Sequence, residues 1–285
     1  MSRPGFLVIG AQRAGTTWMD RQLRSHPQVY LPQRRKEVHY FDRYYARGPE
    51  WYAGFFPSSD AGATSPYRAI GEITPRYLYD PEVPDRIARD LPDAKLIAVL
   101  RHPVDRAYSQ YSLEIRDEGE VRTFEQFLAA RPDALDRGRY AAQLARYFEL
   151  FPRENIEVFL FERVMADPAA ALDRMAALLD LDPEPFRQAP TSERVNGAYR
   201  PRYRKLYAAA HRVGDFLHEN DLDWFVNVAK SLGVPRWFGN SGRLPKLDAA
   251  TRARWAETFT EDIAALEEML GETLPEWSAP DSVNA

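Results

Sequence analysis

The sequence predicts an α/β fold built on a central parallel sheet. Three short apolar runs rich in β-branched residues, 6–9 (FLVI), 95–100 (KLIAVL) and 156–161 (IEVFLF), read as buried strands. Helical sequence precedes or follows each run, the alternation that parallel sheets require. The first run ends in a Gly-rich turn, GAQRAGTT, that leads straight into a helix.

Two weaker extended segments, 28–31 and 67–71, fall between the first and second runs. Helices are expected at 16–24, 84–90, 104–116, 123–130, 139–150, 168–179, 203–219 and 249–270. Pro103 suits a first helical turn, and Asp167 followed by Pro168 offers an N-cap with Pro at the first helical position. There is no internal repeat. Pro-rich joints near 183–190, 201, 235 and 245 are too short for linkers, so one domain is expected over 1–285, its C-terminal third made of helices and loops that cover the sheet.

The chain has 285 residues, 45% apolar and 28% charged, an ordinary globular composition. No run approaches the roughly 18 apolar residues of a membrane span. The N-terminus enters a strand without a signal-peptide pattern, so a cytoplasmic location is expected. Cysteine is absent, which excludes disulfides, a thiolate nucleophile and a Cys-based zinc site. A net charge of −4 argues against nucleic acid as the main partner. The first fifty residues nevertheless carry an excess of Lys and Arg, whereas 248–285 is acidic.

That basic excess surrounds the turn after the first strand. Backbone N–H groups in such a turn converge on one point, and the helix N-terminus adds positive partial charge there, so an anion belongs at Gly10–Thr17. Gly10 and Gly15 have the separation of a nucleotide-triphosphatase loop, but Thr16 stands where that loop has its phosphate-reading Lys. The nearby cation is Arg13, inside the loop. Gly and Thr also suit an ordinary strand-to-helix turn.

A second anion feature follows 95–100: Arg101 leaves the strand at its C-terminal end and Ser109 lies one to two turns into the next helix. Ligands of open parallel sheets bind outside these strand ends. Between the two features, 34–42 (RRKEVHYFD) gathers cations, Glu37, His39 and aromatics. A Glu kept ionised by cations is a candidate general base. The competing reading is a solvated basic turn with Tyr40 and Phe41 in the core.

Other chemistries lack their signatures. The histidines show no H-E-x-x-H spacing, so no metal site is expected; there is no G-x-S-x-G elbow and no G-x-G-x-x-G after a strand. The segment 199–204 (YRPRYR) suits an RNA-binding surface or a cover over a nucleotide. The residues alone leave open a P-loop small-molecule kinase or a non-catalytic nucleotide- or RNA-binding protein.

Taken together, GAQRAGTTW at 10–18, KEVHYFD at 36–42, GEITPRYL at 71–78 and LRHPVDRAYSQY at 100–111 resemble the sulfotransferases that use 3′-phosphoadenosine 5′-phosphosulfate (PAPS). The resemblance is to the branch with the heparan sulfate sulfotransferase domains and bacterial enzymes, and it extends to Leu270, Gly271, Leu274 and Trp277. It implies a P-loop-containing three-layer fold and sulfonate transfer to a hydroxyl of a small-molecule or sugar acceptor, with 3′-phosphoadenosine 5′-phosphate (PAP) as product and no metal. Arg13, Ala14, Gly15, Thr16 and Thr17 would hold the 5′-phosphosulfate, Arg101 and Ser109 the 3′-phosphate, and Trp18 would also belong to the cofactor site. Glu37 would be the base and His39 an auxiliary group near the acceptor. A late basic loop would cover the adenine: Gly242 and Arg243 fit, and Arg202 in 196–202 competes. Two positions depart from the family pattern. Arg13 replaces a catalytic Lys, which favours an electrostatic clamp over an acid because a guanidinium does not deprotonate near neutral pH. Ile73 replaces a Lys that often faces the acceptor, which argues against a heavily sulfated or carboxylated glycan.

Overall fold

The computed structural model describes residues 3–57, 66–117, 122–189 and 246–278, with the isolated positions 213 and 217. Five strands, β1 (Phe6–Gly10), β2 (Val29–Tyr30), β3 (Ala69–Ile73), β4 (Lys95–Leu100) and β5 (Ile156–Leu160), form one parallel sheet in the order β2-β3-β1-β4-β5. Val8 pairs with Ile73 on one side and Ile97 on the other, so β1 lies at the centre. The chain leaves β1 toward β2 and leaves β4 toward β5, in opposite directions. The crevice between the C-terminal ends of β1 and β4 is therefore the topological switch point, where such sheets bind ligands.

Strand side chains alternate between faces. Leu7, Ile9, Leu96, Ala98, Leu100 and Val158 enter one core, and Phe6, Val8, Ile97, Val99 and Phe159 the other. The first core is closed by Tyr52 of α2 (Gly48–Ala53), Ile87 of α3 (Val83–Asp90), and Leu144 and Tyr147 of α7 (Tyr140–Phe148). The second is closed by Met19 and Leu23 of α1 (Thr16–Ser25), Val164 of α8 (Phe161–Ala166), Leu172 and Met175 of α9 (Pro168–Leu178), and Phe186 of α10 (Glu184–Gln188). These are the three layers expected. Helix α4 (Pro103–Asp117) packs with α5 (Phe124–Ala130) and α6 (Asp133–Asp136) around a smaller cluster at Val104, Phe127 and Phe259.

Several boundaries differ from expectation, each for a packing reason. The second weak strand runs two residues later than expected and ends at Ile73, because register with β1 rather than local hydropathy sets its limits. The expected helix 249–270 is interrupted. It forms α11 (Ala249–Ala256), a 3-10 turn at Glu257–Phe259 and α12 (Thr260–Leu270), which lets Phe259 enter the small cluster while Leu266 enters the main core. After α13 (Pro275–Ser278) begins, Trp277 also reaches that core. The last strand stops at Leu160, and Phe161 opens α8. Of the expected helix 203–219 only positions 213 and 217 are among the described residues, and both are helical. Among the described residues no helix is long and apolar enough to cross a membrane.

Candidate active site

Close packing shapes the loop after β1. A Cβ on Gly10 would lie 2.5 Å from Leu78 Cβ, and one on Gly15 would lie 2.7 Å from the Phe161 ring. Gly15 has φ 97°, a left-handed conformation that L side chains disfavour. Ala11 N–H donates to Val99 O at 2.7 Å, tying the loop to β4. Helix α1 then starts at Thr16 with no side-chain cap and no acidic residue in its first turn. Its first amides have no intrahelical acceptors, so a positive terminus faces the crevice.

Arg101 and Ser109 complete this corner. The Arg101 guanidinium lies 5.0 Å from the Phe161 ring centroid and donates to Arg13 O at 3.5 Å, while Tyr140 Oη donates to Arg101 O at 2.9 Å. Beyond Arg101, Glu162 accepts from His102 N–H and from Trp277 Nε1–H, both at 3.0 Å, which fixes the strand end to the C-terminal helix. Arg13 has φ 71°, and its Nε donates to Ser109 Oγ at 3.2 Å. The sequence reading assigns Arg13 and Ser109 to separate phosphates; the structure joins them by a hydrogen bond across the crevice.

The second half of the site is a chain of charged side chains. Lys36 Nζ donates to Thr17 Oγ1 at 3.4 Å and lies 3.9 Å from Glu37 Oε1. Glu37 Oε2 is 3.4 Å from His39 Nε2, His39 Nδ1 is 2.9 Å from Asp42 Oδ2, and Arg76 Nε is 3.3 Å from the same oxygen. Burial pushes the Glu37 carboxyl up, but the hydrogen bond from His39 and the charges of Lys36, His39 and Arg43 outweigh it and hold the group below its ordinary value. Burial opposes charge on His39 in the same way, and its bonds to Asp42 and Glu37 prevail, so its pKa is raised. Glu37 is thus held as a carboxylate beside an imidazole whose protonated form the site favours.

Val38, Tyr40 and Phe41 turn the other way, into the core. The competing sequence reading is therefore right about these aromatics and incomplete about the polar residues between them. Tyr52, Phe55 and Phe56 are likewise buried, and guanidinium groups of Arg34, Arg35 and Arg47 lie over the rings of Tyr44, Trp51 and Phe55.

The match to known proteins follows this geometry. The family model described as "Sulfotransferase domain" matches residues 3–199. The chain belongs to the sulfotransferase family. It is 34% identical over 187 residues to heparan sulfate glucosamine 3-O-sulfotransferase 6 of Mus musculus, covering 62% of this chain and 52% of that protein. It is 42% identical over 113 residues to membrane-associated sulfotransferase kil1 of Dictyostelium discoideum, covering 40% of this chain and 23% of that protein. The chain thus spans from about a quarter to about half the length of these curated relatives. The crystal structure of a sulfotransferase from Alicyclobacillus acidocaldarius superposes with a TM-score of 0.70 at 26% identity, covering 98% of this chain and all of that one.

Within this sulfotransferase frame, the crevice brings together Arg13, Gly15, Thr16, Thr17, Arg101 and Ser109 with Glu37 and His39. Ala14 is fully buried, and the Trp18 ring packs in the second core while the Trp18 backbone N–H donates to Gly15 O at 2.9 Å. Ile73 also packs in that core. Arg202, Gly242 and Arg243 lie outside the described residues. The sequence reading assigns no role to Lys36, Asp42 or Arg76, although each stands inside a quoted motif. Asp42, three residues after His39, is the one whose spacing could have signalled a partner.

Proposed function

We propose that this chain transfers a sulfonate from PAPS to a hydroxyl of a small-molecule or carbohydrate acceptor. The observation that carries the reading is an ionised carboxylate, Glu37, linked through Lys36 to a loop whose donors are all suited to anions. The donor set fits PAPS: the uncapped start of α1, Arg13 and Lys36 would hold the 5′-phosphosulfate, and Arg101 and Ser109 the 3′-phosphate. When bound, PAPS supplies an activated sulfonate with a phosphate leaving group.

The residues of the chain then divide the work. Glu37 takes the proton from the acceptor hydroxyl as its oxygen attacks, and its low pKa keeps it available as a base throughout the neutral range. His39, aligned by Asp42, orients that carboxylate. Arg13 and the loop amides face the charge that develops on the departing side, where a well-placed donor is worth roughly 3–4 kcal/mol. Arg13 acts as a clamp, and Lys36 supplies the compact ammonium that Arg13 cannot.

Transfer of labelled sulfonate from PAPS across a panel of phenols, alcohols and sugars, read by mass spectrometry, tests the proposal. Raised thermal stability with PAP is expected. Failure of PAP to bind at millimolar concentration would overturn the reading, and magnesium-dependent ATP binding would replace it with a kinase. The names of the heparan sulfate relatives support a sugar acceptor. A cytoplasmic location belongs to the same proposal and is read by cell fractionation.

A further inference from the structure

Glu72 lies on β3 opposite Leu7 and has no exposed surface. A carboxylate so placed is costly unless its oxygens are satisfied. Three hydroxyls satisfy them: Tyr52 Oη at 2.7 Å and Tyr77 Oη at 3.0 Å donate to Oε1, and Thr74 Oγ1 at 2.8 Å donates to Oε2. Burial raises the carboxyl's pKa above its ordinary value, and these hydroxyls, with the His39 charge nearby, offset that rise only in part.

Two of the three hydroxyls also accept. Thr74 Oγ1 takes His39 N–H at 3.4 Å, and Tyr77 Oη takes Phe41 N–H at 3.3 Å. Both amides belong to the segment that carries Glu37 and His39, and His39 is held there at φ 58°, a conformation that non-glycine residues enter only when their surroundings impose it. A hydroxyl has one proton. Since an amide can only donate, each hydroxyl turns a lone pair to its amide and directs its one proton at the Glu72 oxygen within reach.

We infer that Glu72 is a positioning residue: its oxygens take the protons of the Thr74 and Tyr77 hydroxyls, which in that orientation hold the amides of His39 and Phe41 and thereby the Glu37–His39 pair. This rests on the sulfonate-transfer reading for its catalytic consequence and on geometry alone for its structural one. Tyr52 is a built-in control, since it donates to the same oxygen as Tyr77 and bonds neither amide.

Hydrogen exchange of the peptide spanning 37–42 and steady-state kinetics read the two consequences separately. In Glu72→Gln the new amide donates to one hydroxyl and reverses it. Glu72→Gln, Tyr77→Phe and Thr74→Val are each expected to speed exchange in that peptide about tenfold, the scale of one net hydrogen bond, with Thr74→Ser restoring protection. Their kcat should fall by about as much, while KM for PAPS and the stabilisation by PAP stay near wild type. Tyr52→Phe should leave exchange in 37–42 at the wild-type rate. Equal acceleration in Tyr52→Phe and Tyr77→Phe would overturn the inference, as would unaltered exchange in Glu72→Gln or faster exchange with undiminished kcat. If Glu72→Gln does not fold, the Tyr52 and Tyr77 pair carries the same comparison. A wild-type protein that binds no PAP would sink the proposed activity and leave the exchange result to judge the relay.

Discussion

The two halves of the crevice are built by different means. The loop half, Gly10 to Thr17 with Arg101 and Ser109, relies on backbone: two glycines pressed against Leu78 and Phe161, a helix start and a strand end. The base half relies on side chains handing hydrogen bonds to one another, from Lys36 through Glu37, His39 and Asp42 to Arg76. Backbone sites tolerate surface substitution but not a new Cβ, whereas relays fail when one member changes polarity. The loop half should therefore govern donor affinity and the base half turnover.

The largest effect should come from Glu37→Gln, which removes the proposed base and should cut turnover by ~10²–10⁴-fold with stabilisation by PAP retained in a thermal melt. Loss of PAP binding instead would break the division. Next is Gly15→Ala: with φ 97° and the Phe161 ring 2.7 Å from the new Cβ, it should cost about 1–3 kcal/mol of stability and abolish the PAP-induced shift in Tm.

Asp42→Asn should follow, since it weakens a charged hydrogen bond worth about 1.5–3 kcal/mol. His39 titrates above its ordinary 6.5 through Asp42 and Glu37, so its stabilising contribution is full below 6.5 and fades as pH rises through the raised value. Glu37 titrates below its ordinary 4.5, so its contribution is full above 4.5 and fades as pH falls through the lowered value. Asp42→Asn should thus move the His39 imidazole titration, followed by NMR, to lower pH; a shift upward would contradict the relay. The smallest effect is expected of Ser109→Ala, which removes a hydroxyl worth about 0.5–1.5 kcal/mol and should weaken PAP binding up to about tenfold by calorimetry. A larger loss in kcat than in affinity would blur the boundary between the halves.

The loop half is legible in the sequence because its cause is local: an apolar strand, a glycine pair at fixed spacing and a helix start occupy thirteen consecutive residues, 6–18. Strands β1, β4 and β5 are legible for the same reason, as each is a compact apolar run, whereas β2 and β3 are only weakly marked because pairing with neighbouring strands sets their limits. The base half is legible only as a list of residue types. Glu37 and His39 stand out, but their wiring depends on Thr74, Arg76 and Tyr77 after β3 and on Tyr52 in α2, and periodicity does not say which distant segments meet. Phe161 shows the limit best. By hydropathy it belongs to the last strand, yet register with β4 ends at Leu160, and the ring turns under the loop of β1.

That ring has a consequence for synthesis. Gly15 leaves the ribosome long before Phe161, and Arg101 also emerges without the aromatic surface on which it rests. A nascent chain ending before β5 holds the residues of the loop after β1 but lacks the wall that shapes it. The loop whose residues are made first therefore gains its aromatic wall only when β5 and Phe161 have docked, so a truncated product that stops short of β5 would lack that wall.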